Sequence, residues 1–205
     1  MARVVSLKKA KSAAVPADGR EELVEIAVDL FAARGFAGTS IRDIADVAGR
    51  SVSNIYHYFE NKEALWFAIF ERSIKALPGQ LREAIEGVEG PRERFIALVR
   101  GHLDVTEHYR REAKMFFIDE ERLSPAGNRI NKRVQRDILS IYVAEIEGLR
   151  RAGLLAPGDT QIAALNTLGA INWYLRWSRA GMSGPKRAEV VDQVLQFILR
   201  GVGCA

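Results

Sequence analysis

From about position 18 onward, apolar residues recur at steps of three and four, the spacing that lays them on one face of a helix. Leu23, Ile26, Ala27, Leu30 and Phe31 stand at i, i+3, i+4, i+7 and i+8. They make one buried stripe on a first helix that Asp18 can cap and that runs to about Arg34, where Gly35 stops it. Ile41, Ile44, Ala45 and Ala48 repeat the pattern in a short second helix, capped by Thr39 or Ser40 and ended by Gly49. The next stretch, AGRSVSNIYHYF, predicts two further turns in which Val52, Ile55 and Phe59 share an inward face. Asn61 then caps a fourth helix, with Glu63 placed to help satisfy its first amides.

The remainder, from Glu63 to Gly203, predicts five or six longer helices with glycine or proline at nearly every junction. Pro78 and Gly79 loosen the end of the fourth helix, and Pro91 opens the next at its first position. Ser124-Pro125 begins a long helix that reaches Arg151, closed by Gly153. Pro157-Gly158-Asp159 leads into a helix holding Trp173 and Trp177, and Gly184-Pro185 begins a last one that ends near Gly201. No strand alternation and no repeat of 20–50 residues interrupts this reading, which is all-α. It divides the chain into an arm (1–17), a three-helix unit (18–62) and a helical bundle (63–205).

Two short helices joined by a tight glycine turn have helix-turn-helix geometry. With Val52, Ile55 and Phe59 inward, Ser51, Ser53, Asn54, Tyr56 and His57 point mostly outward. So compact a unit does not need these groups for its own core, whereas base edges and phosphates in a major groove offer them donors and acceptors.

The run LFAARGFAGTSIRDIADVAG followed by YHYFENKEAL resembles the N-terminal DNA-binding domain of TetR-family regulators. The likeness rests on Phe31, Gly35, Phe36, Thr39, Ile44, Ala45, Ala48, Gly49, Ile55, Tyr56, Phe59 and Lys62. It implies a homodimer whose paired third helices enter successive major grooves of a near-palindromic operator. It also implies that Thr39 and Ser40 hold a phosphate with amides and hydroxyls, and that Ser51, Ser53 and Asn54 reach base edges, Asn54 with an option on adenine. Tyr56 and His57 would hold phosphates, and Lys62 would add a charge nearby. Arg50 departs from the pattern, which has a small apolar residue there. Its guanidinium either reaches outward towards DNA or pairs with a nearby acid such as Asp46, because burying it unpaired costs several kcal/mol. The outward pose adds Arg50 to the DNA-contacting set.

Composition narrows the classes. The chain has 205 residues, 48% hydrophobic and 27% charged, with a net charge of +4 that leans mildly towards anionic partners. Arg3, Lys8, Lys9 and Lys11 make the first residues a basic arm. No apolar run approaches the ~18 residues of a membrane span. One cysteine, Cys204, fits a reducing cytoplasm and excludes an internal disulfide. His102 and His108 are off a shared face, and the Asp104/His108 pair lacks the carboxylate-rich set of a metal-binding bundle. With no nucleophile elbow, phosphate loop or dinucleotide fingerprint, we expect neither an enzyme nor a cofactor.

In the bundle, Ile162, Leu165, Leu168 and Gly169 on one helix and Val190, Val191, Val194, Leu195 and Ile198 on the last predict a dimer of four helices across a two-fold axis. Trp173 and Trp177 share a face with Arg176 beside them, a pattern that ordinary core packing also explains. Together with FFIDEERL and the final GV, this run is similar to a TetR subgroup whose effectors include acyl-coenzyme A thioesters, although WSRAGMSG departs from it. That likeness implies Phe116, Phe117, Trp173 and Trp177 around the acyl chain, with Arg129, Arg133 and Arg176 on the phosphates. The other reading is a DNA-binding protein with no small-molecule effector, regulated by a partner or architectural.

Overall fold

The computed structural model describes residues 19–112, 124–155, 157–177 and 184–204, and among them every regular element is an α-helix. In chain order these are α1 (Gly19–Arg34), α2 (Ile41–Ala48), α3 (Val52–Tyr58), α4 (Lys62–Ser73), α5 (Leu77–Ile85), α6 (Pro91–His108), α7 (Pro125–Arg151), α8 (Thr160–Trp177) and α9 (Gly184–Gly201). The basic arm and Asp18 lie outside the described residues. None of the described helices is long and apolar enough to cross a membrane.

Local chemistry sets the first boundaries. Ser40 and Asp43 form a reciprocal capping box at the start of α2, and Gly49 at its end takes the left-handed conformation, φ 64°. Ser51 caps α3 by accepting from the Asn54 amide, and Asn61 caps α4 by accepting from Ala64 at 2.8 Å. Pro78 opens a separate helix, α5, instead of loosening the end of α4. Proline is tolerated in a first turn, where its missing N–H has no helical partner to lose.

Two cores result. In the first, Leu23, Ala27 and Phe31 of α1 meet Ile44 of α2, Ile55 of α3 and Phe59. The sequence reading grouped α4 with the second unit, yet its Leu65, Trp66, Ile69 and Phe70 are buried in this first core. Trp66 stacks on Phe70 with ring centroids 5.5 Å apart. The second core gathers α5, α6, α7, α8 and α9 around Leu81, Phe95, Tyr142, Ile146, Ile171 and Leu195.

α7 joins the two. Its Val134 belongs to the first core, and Ile138 packs against both. The Ser124 amide, just before α7, donates to Glu63 of α4 at 2.9 Å. A Cβ on Gly127 would lie 2.5 Å from the Phe67 ring, so glycine is what permits α7 to approach α4 so closely.

The last helix differs from expectation. Val191, Leu195 and Ile198 are buried within the protomer's own core, so that stripe is not available to a second chain. Among the described residues, the large apolar side chains left exposed on the final two helices are Ile162, Leu165, Trp173 and Phe197. One helix face cannot serve both the internal core and a partner.

The second core encloses a titratable pair. His102 Nδ1 lies 2.9 Å from the Tyr142 hydroxyl, both side chains being buried. Burial lowers the His102 pKa from 6.5 to about 4 and raises that of Tyr142. The unfolded chain therefore binds a proton on this histidine at a pH where the folded chain does not. Its contribution to stability is present above the unfolded value and declines as pH falls through the window down to about 4. We expect urea denaturation to show a loss on the order of 3 kcal/mol from this group across that window. His102→Gln, which still offers Tyr142 a hydrogen bond, should flatten the profile there relative to the parent.

Candidate functional site

The third helix presents a short polar face. Ser53, Tyr56 and His57 are exposed, and the His57 ring meets Tyr58 edge-on at 5.2 Å. Ser51 is also exposed, but its hydroxyl already accepts from the Asn54 amide at 3.1 Å. Asn54 is half-buried, and its side-chain oxygen accepts from Arg50 at 3.2 Å. A bidentate pair with adenine needs that oxygen as well as the amine, so Asn54 must exchange its Arg50 bond for a base.

Arg50 points inward, against the outward expectation, and its acid is not Asp46. It reaches Glu22 of α1 at 2.6 Å. The hydrogen bond to Glu22 raises its pKa, so the guanidinium stays cationic while tying α3 to α1. Glu22 lies 28 residues upstream, beyond the reach of any local rule.

Two other residues expected at a phosphate are engaged inside the fold. Thr39 is 1% exposed, and its hydroxyl donates to the carbonyls of Gly35 at 3.0 Å and Leu30 at 3.3 Å. The Lys62 ammonium donates to the carbonyls of Phe36 at 2.7 Å and Thr39 at 2.8 Å, and sits 4.3 Å over the Phe36 ring. Both side chains fix the turn between α1 and α2, where carbonyls without helical partners need donors. Ser40 is exposed, yet Asp43 accepts from its amide at 2.7 Å and its hydroxyl at 2.5 Å. The Ser40 hydroxyl and amide lower the Asp43 pKa, which leaves a carboxylate where a phosphate was expected. A phosphate at this helix start has to displace or outweigh that carboxylate.

Two exposed α2 residues escaped the sequence reading: Arg42, and Val47 at 60% exposure. Both fall outside the 41, 44, 45, 48 stripe, which is the signal that marks them as outward.

A second feature is a cavity of about 960 Å³ between the α4–α5 junction, α6, α7 and α8. Ile74 and Leu77 supply one wall, Ile138 and Leu139 of α7 another, and Leu165 and Leu168 of α8 a third. Arg129 and Arg133 are among its lining residues. Lys132 and Arg136, which were not singled out, line it too. Steps of three and four along α7 put these four cations on one side of the helix. His102, Thr106 and Asn131 add buried polar groups to the lining.

Trp173 is 64% exposed and Arg176 is also exposed, and neither is among the cavity-lining residues. The i, i+4 relation put the two tryptophans on one face but could not say which way that face turned. Phe116 and Phe117 lie outside the described residues, as does the side chain of Trp177. Asp104 pairs with Arg187 at 2.6 Å, which accounts for it as a surface ion-pair residue.

An ionic cluster connects the two regions. Arg72 of α4 reaches Glu25 of α1 at 2.6 Å, Glu112 beyond α6 at 3.0 Å, and Glu21. Burial works to lower the Arg72 pKa, but the carboxylates of Glu21 and Glu25 outweigh it and the net shift is upward. Arg111 adds bonds to Glu25 at 3.1 Å and to Asp29.

The inward roles have a direct consequence. Lys62→Met should lower stability by about 2 kcal/mol in urea denaturation, because two carbonyls lose a charged donor. Ser53→Ala and His57→Ala, at exposed positions, should change it by no more than about 0.5 kcal/mol.

With this geometry in hand, comparison with known proteins is specific. Residues 23–69 match the family model for bacterial regulatory proteins, tetR family, and residues 88–202 match that for a tetracyclin repressor-like C-terminal domain. The chain is 27% identical over 197 residues to the HTH-type transcriptional repressor KstR2 of Mycolicibacterium smegmatis, covering 91% of this chain and 92% of that protein. The structure of the ketosteroid transcriptional regulator KstR2 of Mycobacterium tuberculosis superposes with a TM-score of 0.81 at 25% identity, covering 94% of this chain and 98% of that one. AibR, solved in complex with isovaleryl coenzyme A and operator DNA, shares the fold with a TM-score of 0.77 at 20% identity, over 91% of this chain and 99% of that one. A helix-turn-helix carried on α1 and α4, followed by a helical bundle with its own cavity, therefore belongs to the TetR family, and this chain is a DNA-binding transcriptional regulator of the TetR repressor type.

Proposed function

We propose that the protein acts in the cytoplasm as a homodimeric repressor, released from a near-palindromic operator when an acyl-coenzyme A thioester enters the cavity beside α7. The carrying observation is the row Arg129, Lys132, Arg133 and Arg136 along a cavity with apolar walls. A thioester needs this pairing, cations for its phosphates and hydrocarbon for its chain. The complex of AibR with isovaleryl coenzyme A and operator DNA is consistent with such a ligand on this fold.

On the DNA side, Ser53, Tyr56 and His57 are exposed on α3, and Arg42 is exposed on α2. Few of them offer bidentate base recognition, so affinity rests largely on phosphates and falls with salt. Ser51, Asn54 and Arg50 act by shaping and orienting α3, and Asn54 reads a base only by releasing Arg50. Dimerisation uses the exposed Ile162, Leu165, Trp173 and Phe197, large apolar side chains of the kind a two-fold interface covers.

Coupling follows from contact. Ile74, in the cavity wall, comes immediately after the last residue of α4. α7 is fastened to α4 by the Ser124–Glu63 bond, and Arg72 carries α4's position to α1. An occupant that shifts Ile74 therefore shifts the platform on which α3 stands. To weaken operator binding 100-fold it must favour the released state by about 2.7 kcal/mol.

The test begins with DNA selected from random duplexes by the full-length protein. Titration with acyl-coenzyme A thioesters of increasing chain length, followed by fluorescence anisotropy of that DNA, should release it, and coenzyme A alone should not. Arg129→Ala with Arg133→Ala should blunt the response while leaving operator affinity near that of the parent. Release by no thioester would favour a regulator without a small-molecule effector. Separately, Phe197→Asp with Trp173→Asp should give a monomer in sedimentation velocity and lose DNA binding at least tenfold.

A further inference from the structure

Arg50 makes two bonds at once, to two different helices. One terminal nitrogen, Nη2, donates to Glu22 of α1 at 2.6 Å, while the other, Nη1, donates to Oδ1 of Asn54 in α3 at 3.2 Å. The guanidinium lies against the start of α1. A Cβ on Gly19 would come within 2.7 Å of Nη1 and 3.0 Å of Nη2, so glycine leaves the space that Arg50 fills. The Tyr58 hydroxyl belongs to the same seat.

A guanidinium has donors and no acceptor, so the amide atom that faces it has to be the oxygen. This fixes which way the Asn54 amide is turned. Asn54 is half-buried near the start of α3, about one helical turn before the exposed His57. To pair with adenine, its oxygen must accept from the base amine while its own amine donates to the ring nitrogen. The oxygen that adenine requires is the one that Arg50 holds. Its second lone pair does not help, because the bond turns that oxygen towards a guanidinium seated against α1.

A DNA phosphate is a poor competitor for this arginine. Its side chain is 26% exposed, and the bond to Glu22 raises its pKa against the opposing effect of burial. If Arg50 left for a phosphate, it would abandon the Glu22 carboxylate beside the same polyanion, and like charges repel. The residue type matters as well. A planar fork spans two acceptors with two nitrogens, whereas a lysine carries its charge on one nitrogen and cannot stand at both places.

We propose that Arg50 is a specificity-determining positioning residue for operator recognition: by tying Oδ1 of Asn54 to Glu22 it keeps Asn54 off adenine, so the base step that Asn54 faces in each half-site is not selected as adenine. Arg50 acts through Asn54, without touching a base itself. The inference rests on α3 as the groove-facing helix and is independent of what the cavity binds.

The experiment is selection from random duplexes by the full-length protein and its variants, followed by fluorescence anisotropy on the selected DNA and on single-step changes to it. Arg50→Lys retains the ion pair with Glu22 and releases the Asn54 oxygen, whereas Arg50→Val gives up both bonds. At least one of the two should select an additional adenine in each half-site and bind that duplex roughly tenfold more tightly than its counterpart without the adenine, the size of one bidentate pair. Adding Asn54→Ala should abolish the gain, while Asn54→Ala in the parent should leave the selected motif unchanged. A new base preference cannot come from misfolding. If Asn54→Ala in the parent erases an adenine from the motif, Asn54 already reads that base and the inference is overturned. It is equally overturned if both replacements select the parent motif or bind no duplex, since Arg50 then serves the fold or a phosphate alone. If the parent itself selects no motif, the groove-facing role of α3 falls with it.

Discussion

α4 has almost no free face, and the rest of the molecule depends on that. Leu65, Trp66, Ile69 and Phe70 fill the core of the DNA-reading unit, Glu63 and Phe67 receive the start of α7, and Arg72 gathers carboxylates from α1 and from beyond α6. Close-packed interiors transmit displacement instead of absorbing it. Ile74, which follows α4 directly, lines the cavity, while α4's own side chains pack in the core that carries α3. The ionic cluster adds direction more than strength. Its carboxylates on α1 are about half-exposed, and ion pairs of that kind contribute modestly to stability while fixing orientation.

The same economy governs polar side chains in the DNA-reading unit. A unit with two helices as short as α2 and α3 has many backbone groups at helix ends and few residues with which to satisfy them. Thr39, Ser40, Ser51 and Lys62 are spent on that task. Arg50 is spent on holding α3 against α1. Residues that look equally fit to meet a phosphate thus divide into those that build the surface and those that constitute it, and Ser53, Tyr56 and His57 are in the second group.

In the bundle the division runs the other way. Apolar residues on α9 close the protomer's own core, and the large apolar groups left exposed on α8 and α9 include Trp173 and Phe197. Polar residues, by contrast, are carried deep into the cavity, where each has to be matched by a partner or leave a cost. The cavity thus has exposed cations at its rim and the uncharged side chains of Thr106 and Asn131 at depth. Leu165 both lines the cavity and remains exposed on α8.

Periodicity, caps and punctuation in the sequence determined the helices of the DNA-reading unit almost to the residue, because each depends on neighbours within about four positions. Ser40 and Gly49 bound α2, and Asn61 starts α4, by rules that need no tertiary partner. The all-α class, the helix-turn-helix and the basic character of α7 at 129 and 133 were legible for the same reason. Tertiary structure alone decided whom each long side chain meets. Arg50 finds Glu22 from 28 residues away, and Lys62 finds carbonyls 23 and 26 residues away. It also decided that α9's valine and leucine stripe turns inward and that Trp173 turns out. A helical pattern fixes which residues share a face, but the direction of that face is set by packing against elements that are distant in the chain.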